Sequence, residues 1–169
     1  GTDFINADEA NTFEKRKVIV VHKDTAAKAR AKITQGEAFM TSMKKGDFFY
    51  LCRGNSIRLL GRIDSDEVEE NPEKQEGWYE RSYTVIAESK DTSPYTGDQK
   101  WWTPNDNSTC IQVPTGEKDQ FDELILKPYF DLSTDELLKN DSSGIHYWFL
   151  NANPKMWSMS SMPVGEVQD

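Results

Sequence analysis

The chain has 169 residues, 36% of them hydrophobic, with a mean hydropathy of −0.75 and a formal charge of −9. That length holds one core, or one domain plus a fragment of a second. No apolar run approaches the roughly 20 residues of a membrane-spanning helix and no basic-then-apolar leader opens the sequence, so the expected setting is cytoplasmic and reducing, with Cys52 and Cys110 lacking CxxC spacing.

Residues 1–15 are polar and acidic and read as a flexible lead-in. Lys17-Val-Ile-Val-Val-His22 is a β-branched apolar run, which predicts a buried strand. Asp24 or Thr25 is placed to cap an alanine-rich helix through Lys32, with Gly36 as its stop or break. Residues 37–43 predict a short helix burying Phe39, Met40 and Met43. Lys44-Lys-Gly-Asp47 turns into a strand at Phe48-Phe-Tyr-Leu-Cys52. Arg53-Gly-Asn-Ser56 is a hairpin turn, and residues 57–63 return as a strand with Gly61 as a bulge position.

Residues 64–76 are strongly acidic, include Pro72 and read as a linker. Residues 78–88 predict a strand, 90–104 a long loop holding Tyr95, Trp101 and Trp102, and Cys110-Ile-Gln-Val113 a short strand. Residues 121–130 read as mixed strand and turn. Ser133-Thr-Asp-Glu136 is a capping box for a helix through Lys139. Residues 147–151 form the last predicted strand. Strands outnumber helices, which implies an α+β fold: a small twisted β-barrel flanked by short helices.

The net charge hides two regions. From Lys15 to Arg62 twelve basic residues face only Asp24, Glu37 and Asp47, a local charge of +9, and the remainder carries −18. A phosphate backbone responds to the local field, because salt screens charges beyond about 10 Å. Lys23, Lys28, Arg53 and Arg58 are the phosphate-contact candidates. Arg53 opens the hairpin turn, and Lys23 and Lys28 stand near a predicted helix N-terminus, which favours anions. Such contacts position a backbone without reading its sequence. The competing reading is a set of solvated faces that disperse in space.

Motifs for catalysis are missing: there is no GxxxxGK[ST] loop, no HExxH, no GxSxG and no metal-spaced Cys/His cluster. His22 and His146 both flank apolar strands and read as structural. The chain is therefore read as a non-enzyme without cofactor or metal. Trp101-Trp102 is the sharper feature. On a loop beside Tyr95, an exposed indole can stack on a base; the competing reading is that both anchor the loop to the core.

Two stretches resemble one superfamily. Residues 36–51, with Met43-Lys-Lys-Gly-Asp47 entering a strand and Leu60-Gly-Arg-Ile63 following, are similar to PUA-like and EVE sequence. The tail His146-Tyr-Trp-Phe-Leu-Asn-Ala-Asn-Pro-Lys-Met-Trp157 resembles the opening strand of an EVE domain, in the group that contains the YTH readers of methylated bases. Its Leu-Asn-Ala-Asn-Pro-Lys-x-Trp form looks like the variety attached to McrB-type restriction proteins. The resemblance implies a PUA/EVE-like barrel that encloses a flipped, modified base, with Asn151, Asn153 and Trp157 as pocket residues beside Trp101 and Trp102. Amides read base edges and an aromatic face takes the ring.

The domain expected is thus residues 16–152, with 153–169 as a tail that either follows a closing strand or begins a truncated second EVE-like domain. The expected function is recognition of modified bases in DNA, or RNA, on behalf of downstream motor or nuclease domains in a restriction or defence protein, with no membrane role. The alternative is a protein-interaction or assembly module that uses its acidic surface. A third reading, an unrecognised enzyme, needs a histidine, a cysteine and carboxylates in one cleft.

Overall fold

The structure, a computed structural model, describes residues 7–25, 33–72, 74, 76–105, 108–138 and 145–152. At its centre two strands bury both faces. In β2 (Phe48–Arg53), Phe49 and Leu51 enter one core and Phe48, Tyr50 and Cys52 the other. β7 (Tyr147–Asn151) lies parallel to it, from Phe48 opposite Tyr147 to Cys52 opposite Asn151, and divides Trp148 and Leu150 from Tyr147 and Phe149 in the same way. Successive strand residues point to opposite faces, so a continuous apolar run is what a doubly covered strand requires.

β3 (Ser56–Ile63) returns antiparallel to β2 through a turn in which Gly54 takes φ +62°. The long β5 (Trp78–Glu88) pairs through its first half with β1 (Val18–His22) and through its second half with β3. β6 (Cys110–Gln112) pairs antiparallel with β7. The order β1-β5-β3-β2-β7-β6 makes a mixed, strongly curled half-barrel in an α+β fold. The predicted bulge is present, since the β3–β5 register shifts at Leu60/Gly61. A Cβ on Gly61 would lie 2.5 Å from the buried Phe49 ring.

Four expectations are corrected. First, the sheet does not close into a barrel among the described residues. β1 and β6 end the strand order, α1 (Ala7–Arg16) packs on β1, and α2 (Gln35–Glu37), continuing as a π-turn over Ala38–Ser42, packs on β6. Second, α1 replaces most of the expected lead-in. Ala10 and Phe13, three residues apart on one helix face, are buried in the core with Phe39 and Met43.

Third, the acidic stretch is not a linker. β4 (Glu69–Glu70) pairs with β5, and the wholly buried Asn71 donates to Glu80 Oε1 at 2.8 Å and accepts from Lys74 N at 2.8 Å. Lys74 Nζ reaches Glu9 at 3.1 Å. Partners distant in sequence thus offset part of the self-repulsion that predicted an extended loop. Fourth, residues 121–130 are helical. A 3₁₀ turn (Thr115–Glu117) leads into α3 (Lys118–Phe121), a π-turn (Asp122–Leu126) and α4 (Lys127–Phe130). Phe121 with Ile125, and Leu126 with Phe130, are four apart and share one buried stripe. Asp131, at φ +58°, ends α4. The predicted capping box is present at the start of α5 (Thr134–Leu137).

The helical segment and the 90–104 loop cover the second core, and α1, β1 and the π-turn cover the first. The last strand is internal, between β2 and β6; the tail from 153 lies outside the described residues, as does the predicted helix over 26–32.

Gly36 joins β1 to α2 by close approach. Its N–H donates to Thr25 O at 3.2 Å, and a Cβ would fall 2.3 Å from the Lys23 carbonyl oxygen. Backbone cannot yield as a side-chain end can. Gly36→Ala is expected to cost about 1–3 kcal/mol, the usual penalty of overpacking, seen as a lower urea midpoint at unchanged slope. An unshifted midpoint would mean that the two segments are less tightly apposed.

Candidate functional site

A cleft of about 160 Å³ opens between the α2 region and the β6–β7 edge of the sheet. The partly exposed Trp101 supplies its aromatic wall, the wholly buried Trp148 backs it from the core, and Thr34, Gln35, Ser42 and Gln112 are its polar lining. An apolar cavity of about 150 Å³ holds benzene, so the volume suits a single planar ring and is well below the roughly 300–1,000 Å³ of drug-sized sites.

The walls are fixed by hydrogen bonds, those of Gln35 and Trp148 buried. Gln35 Oε1 accepts from Thr109 N at 2.6 Å and Cys110 N at 2.7 Å, which ties α2 to the start of β6. Thr34 caps α2 by accepting from Glu37 N at 3.0 Å. Trp148 Nε1 donates to Asp47 Oδ2 at 3.0 Å. Trp101 is only partly buried and packs its other side against the second core. A ligand would therefore meet a preformed slot with one partly exposed aromatic rim.

The other pocket candidates separate from this cleft. Trp102 is wholly buried, edge-on to Phe121 at 5.8 Å; its Nε1 donates to Glu117 at 2.7 Å and its carbonyl accepts from the Tyr50 hydroxyl. It anchors the loop and has no free face for a base. Asn151 is 1% exposed and holds the hairpin turn: Gly54 N–H donates to its Oδ1 at 3.1 Å, and its Nδ2 donates to Gly54 O and Asn105 O. Both roles are structural. Asn153, Trp157 and Lys28 lie outside the described residues.

The described phosphate-contact candidates, Lys23, Arg53 and Arg58, are held in ion pairs. Lys23 is exposed and stands 3.5 Å from Asp24. Arg53 and Arg58 each place Nη2 3.0 Å from an oxygen of the same carboxylate, that of Glu14 on α1. Arg16 pairs with Glu80 at 3.0 Å. The basic third of the sequence is thus offset in part by acids from α1 and β5.

Neither histidine sits with a cysteine. His22 accepts from Asp24 N through Nδ1 at 3.0 Å, which leaves Nε2–H to donate to Glu76 O at 3.1 Å. His146 places Nδ1 4.0 Å from buried Asp47. Cys52 and Cys110 are buried, and that burial pushes both thiols above their ordinary value, away from the thiolate that nucleophilic chemistry needs. Among the described residues no group of His, Cys, Asp or Glu is arranged to hold a metal ion, and no helix is long and apolar enough to cross a membrane.

Of the residues that line the cleft, Trp101 was among the pocket candidates read from the sequence. Gln35, Gln112, Thr34, Ser42 and Trp148 were not, because single polar residues and a core Trp carry no pattern that separates cleft walls from ordinary surface or packing. Comparison with family models, with curated proteins and with solved structures gives no match for this chain.

Proposed function

We propose that the protein is a nucleic-acid recognition module that accepts one extruded, modified base in the Trp101–Trp148 cleft. The observation that carries this reading is the cleft itself: a slot for one ring, with the partly exposed Trp101 as its aromatic wall and the Gln112 side-chain amide in its lining. Stacking on an aromatic contributes about 1–3 kcal/mol per base. Amide groups of the Gln112 kind suit base edges. Extrusion costs a few kcal/mol and is cheapest at mismatched or damaged positions.

The PUA/EVE-like resemblance of residues 36–63 and of the tail supports the same class, and with it a role beside the motor or nuclease domains of a McrB-type restriction or defence protein. On this reading the half-barrel is a PUA-like sheet, DNA (or RNA) carrying modified bases is the partner, and no cofactor is required. The aromatic role falls to Trp101, not to Trp102 or Asn151.

The test is a fluorescence-anisotropy titration at low salt with duplexes carrying methylated, hydroxymethylated or unmodified cytosine, and with the matching single strands. Binding of a modified probe is expected to exceed that of its unmodified twin, and Trp101→Ala to weaken it about 5- to 150-fold, the loss of one stacked base. Flat titrations with every probe would sink the proposal, and so would an unaffected Trp101→Ala. A second reading, a protein-interaction module, draws on one observation: β4 presents exposed Glu69 and Glu70 on an acidic arm.

A further inference from the structure

We infer that Arg53 and Arg58 form a binding site for a phosphoryl group, and that the carboxylate of Glu14 occupies it as an internal stand-in. The site is separate from the base cleft and does not depend on it.

The two arginines converge through a bulge. Leu51 opposes Leu59, but Cys52 opposes Ile57, so Arg58 is the extra residue on β3. Regular pairing would place Arg58 opposite Cys52 and so turn it toward the second core with Cys52. The inserted residue turns it instead to the face of Arg53, where both guanidiniums meet Glu14. Bulges recur where a side chain must be re-aimed at a functional site.

The donors exceed the acceptors. Each guanidinium carries five N–H groups in a planar fork suited to phosphate as well as carboxylate. Glu14 offers two oxygens, and each already receives one arginine at 3.0 Å. Both arginine Nε atoms and the Tyr83 hydroxyl are buried without a hydrogen-bond partner. Two guanidiniums against one carboxylate leave a local charge of +1. A phosphoryl group has more oxygens and more charge than a carboxylate, and would serve donors that Glu14 leaves unserved.

The exchange is sterically open. The Glu14, Arg53 and Arg58 side chains are 24%, 25% and 37% exposed. Glu14 can swing outward about its own side-chain bonds while Phe13 and Ala10 keep α1 in the core. Burial, and then Glu14, push the Tyr83 hydroxyl above its usual value against the two arginines, so it remains a protonated donor.

The experiment follows the arginine Nε–Hε signals by NMR in the whole chain. Wild type and Glu14→Gln are each titrated with inorganic phosphate and, separately, with a single-stranded oligonucleotide lacking terminal phosphates. Phosphate is expected to shift the Arg53 and Arg58 signals in wild type, and Glu14→Gln to bind about tenfold more tightly, since one competing charge is gone. Arg53→Gln should abolish the Arg58 response. A response to phosphate alone assigns a free-phosphate site, and a response to both probes a nucleic-acid backbone site; either supports the proposal. Unmoved Nε–Hε signals in wild type with both probes overturn it, even if Glu14→Gln fails to fold. Because inorganic phosphate carries no base, that failure is distinct from a failure of the Trp101 cleft.

Discussion

Asp47→Ala is expected to destabilise the protein by at least about 3 kcal/mol, because three buried or half-buried donors lose their acceptor and each orphaned donor costs about 1–3 kcal/mol. Asp47 is wholly buried at the entrance to β2. Its Oδ2 accepts from Lys44 N and from Trp148 Nε1, both at 3.0 Å, and its Oδ1 from His146 N at 3.1 Å. Its own carbonyl accepts from Ile63 N at 2.8 Å. The carboxylate therefore fixes the Lys44 turn and the start of β7, while the backbone carbonyl of the same residue holds the end of β3. Asn at this position keeps one acceptor oxygen but turns an NH₂ toward donors, so it should recover only part of the loss. Equilibrium unfolding in urea checks the magnitude. The Trp148 indole N–H resonance checks the cause: it should move upfield in both variants, and an unmoved signal would exclude this role for Asp47.

Arg81→Met is the second large effect, expected at about 3–5 kcal/mol, because four carbonyl oxygens lose a charged donor and each stranded buried group costs about 1–3 kcal/mol. Arg81 is 1% exposed, and its hydrogen-bond partners are backbone carbonyls. Nε and Nη2 donate to Phe39 O at 3.0 and 2.7 Å, Nη2 to Met40 O at 3.2 Å, and Nη1 to Ser65 O and Asp66 O at 3.2 and 2.9 Å. The guanidinium also lies over the Phe39 ring, 5.3 Å from its centroid. Burial lowers its pKa, and the carbonyls take the place of water around the charge. Removing it strands those oxygens and frees the π-turn from the 64–66 loop. Arg81→Lys separates charge from geometry. Lysine keeps the charge but donates from one point and cannot span two segments, so it should lose most of the same stability. Wild-type unfolding of Arg81→Lys would show that charge alone suffices.

These two residues mark where sequence reading stops. β1, β2, β3, β5, β6 and β7 were legible as apolar runs between turn residues, and the Ser133–Glu136 box and Gly61 bulge as local signals with a local cause. Nothing near Asp47 or Arg81 in sequence announces their partners, which lie 101 and 42 residues away in the cases of Trp148 and Phe39. α1 was missed for the same reason: two buried residues, Ala10 and Phe13, in a polar stretch become a core face only once Glu9, Glu14 and Arg16 meet Lys74, Arg53, Arg58 and Glu80. At the cleft, adjacent Trp101 and Trp102 were equivalent by composition. Which one is buried depends on the Tyr50 and Glu117 bonds that draw Trp102 inward. The aim of Arg58 depends on one extra residue in a register that only pairing reveals.

The parallel union of β2 and β7 has a consequence for biosynthesis. Asp47, at the start of β2, and His146, at the start of β7, are 99 residues apart. At about 5–20 residues per second, the ribosome needs about 5–20 s to deliver the second strand after the first. Throughout that interval β2 has β3 on one side and a bare Phe-Phe-Tyr-Leu-Cys edge on the other. Such an edge templates pairing with any neighbouring chain. Vectorial synthesis, more than the finished fold, is thus the stage at which this protein is most open to mispairing, and dense polysomes are the setting that most favours it.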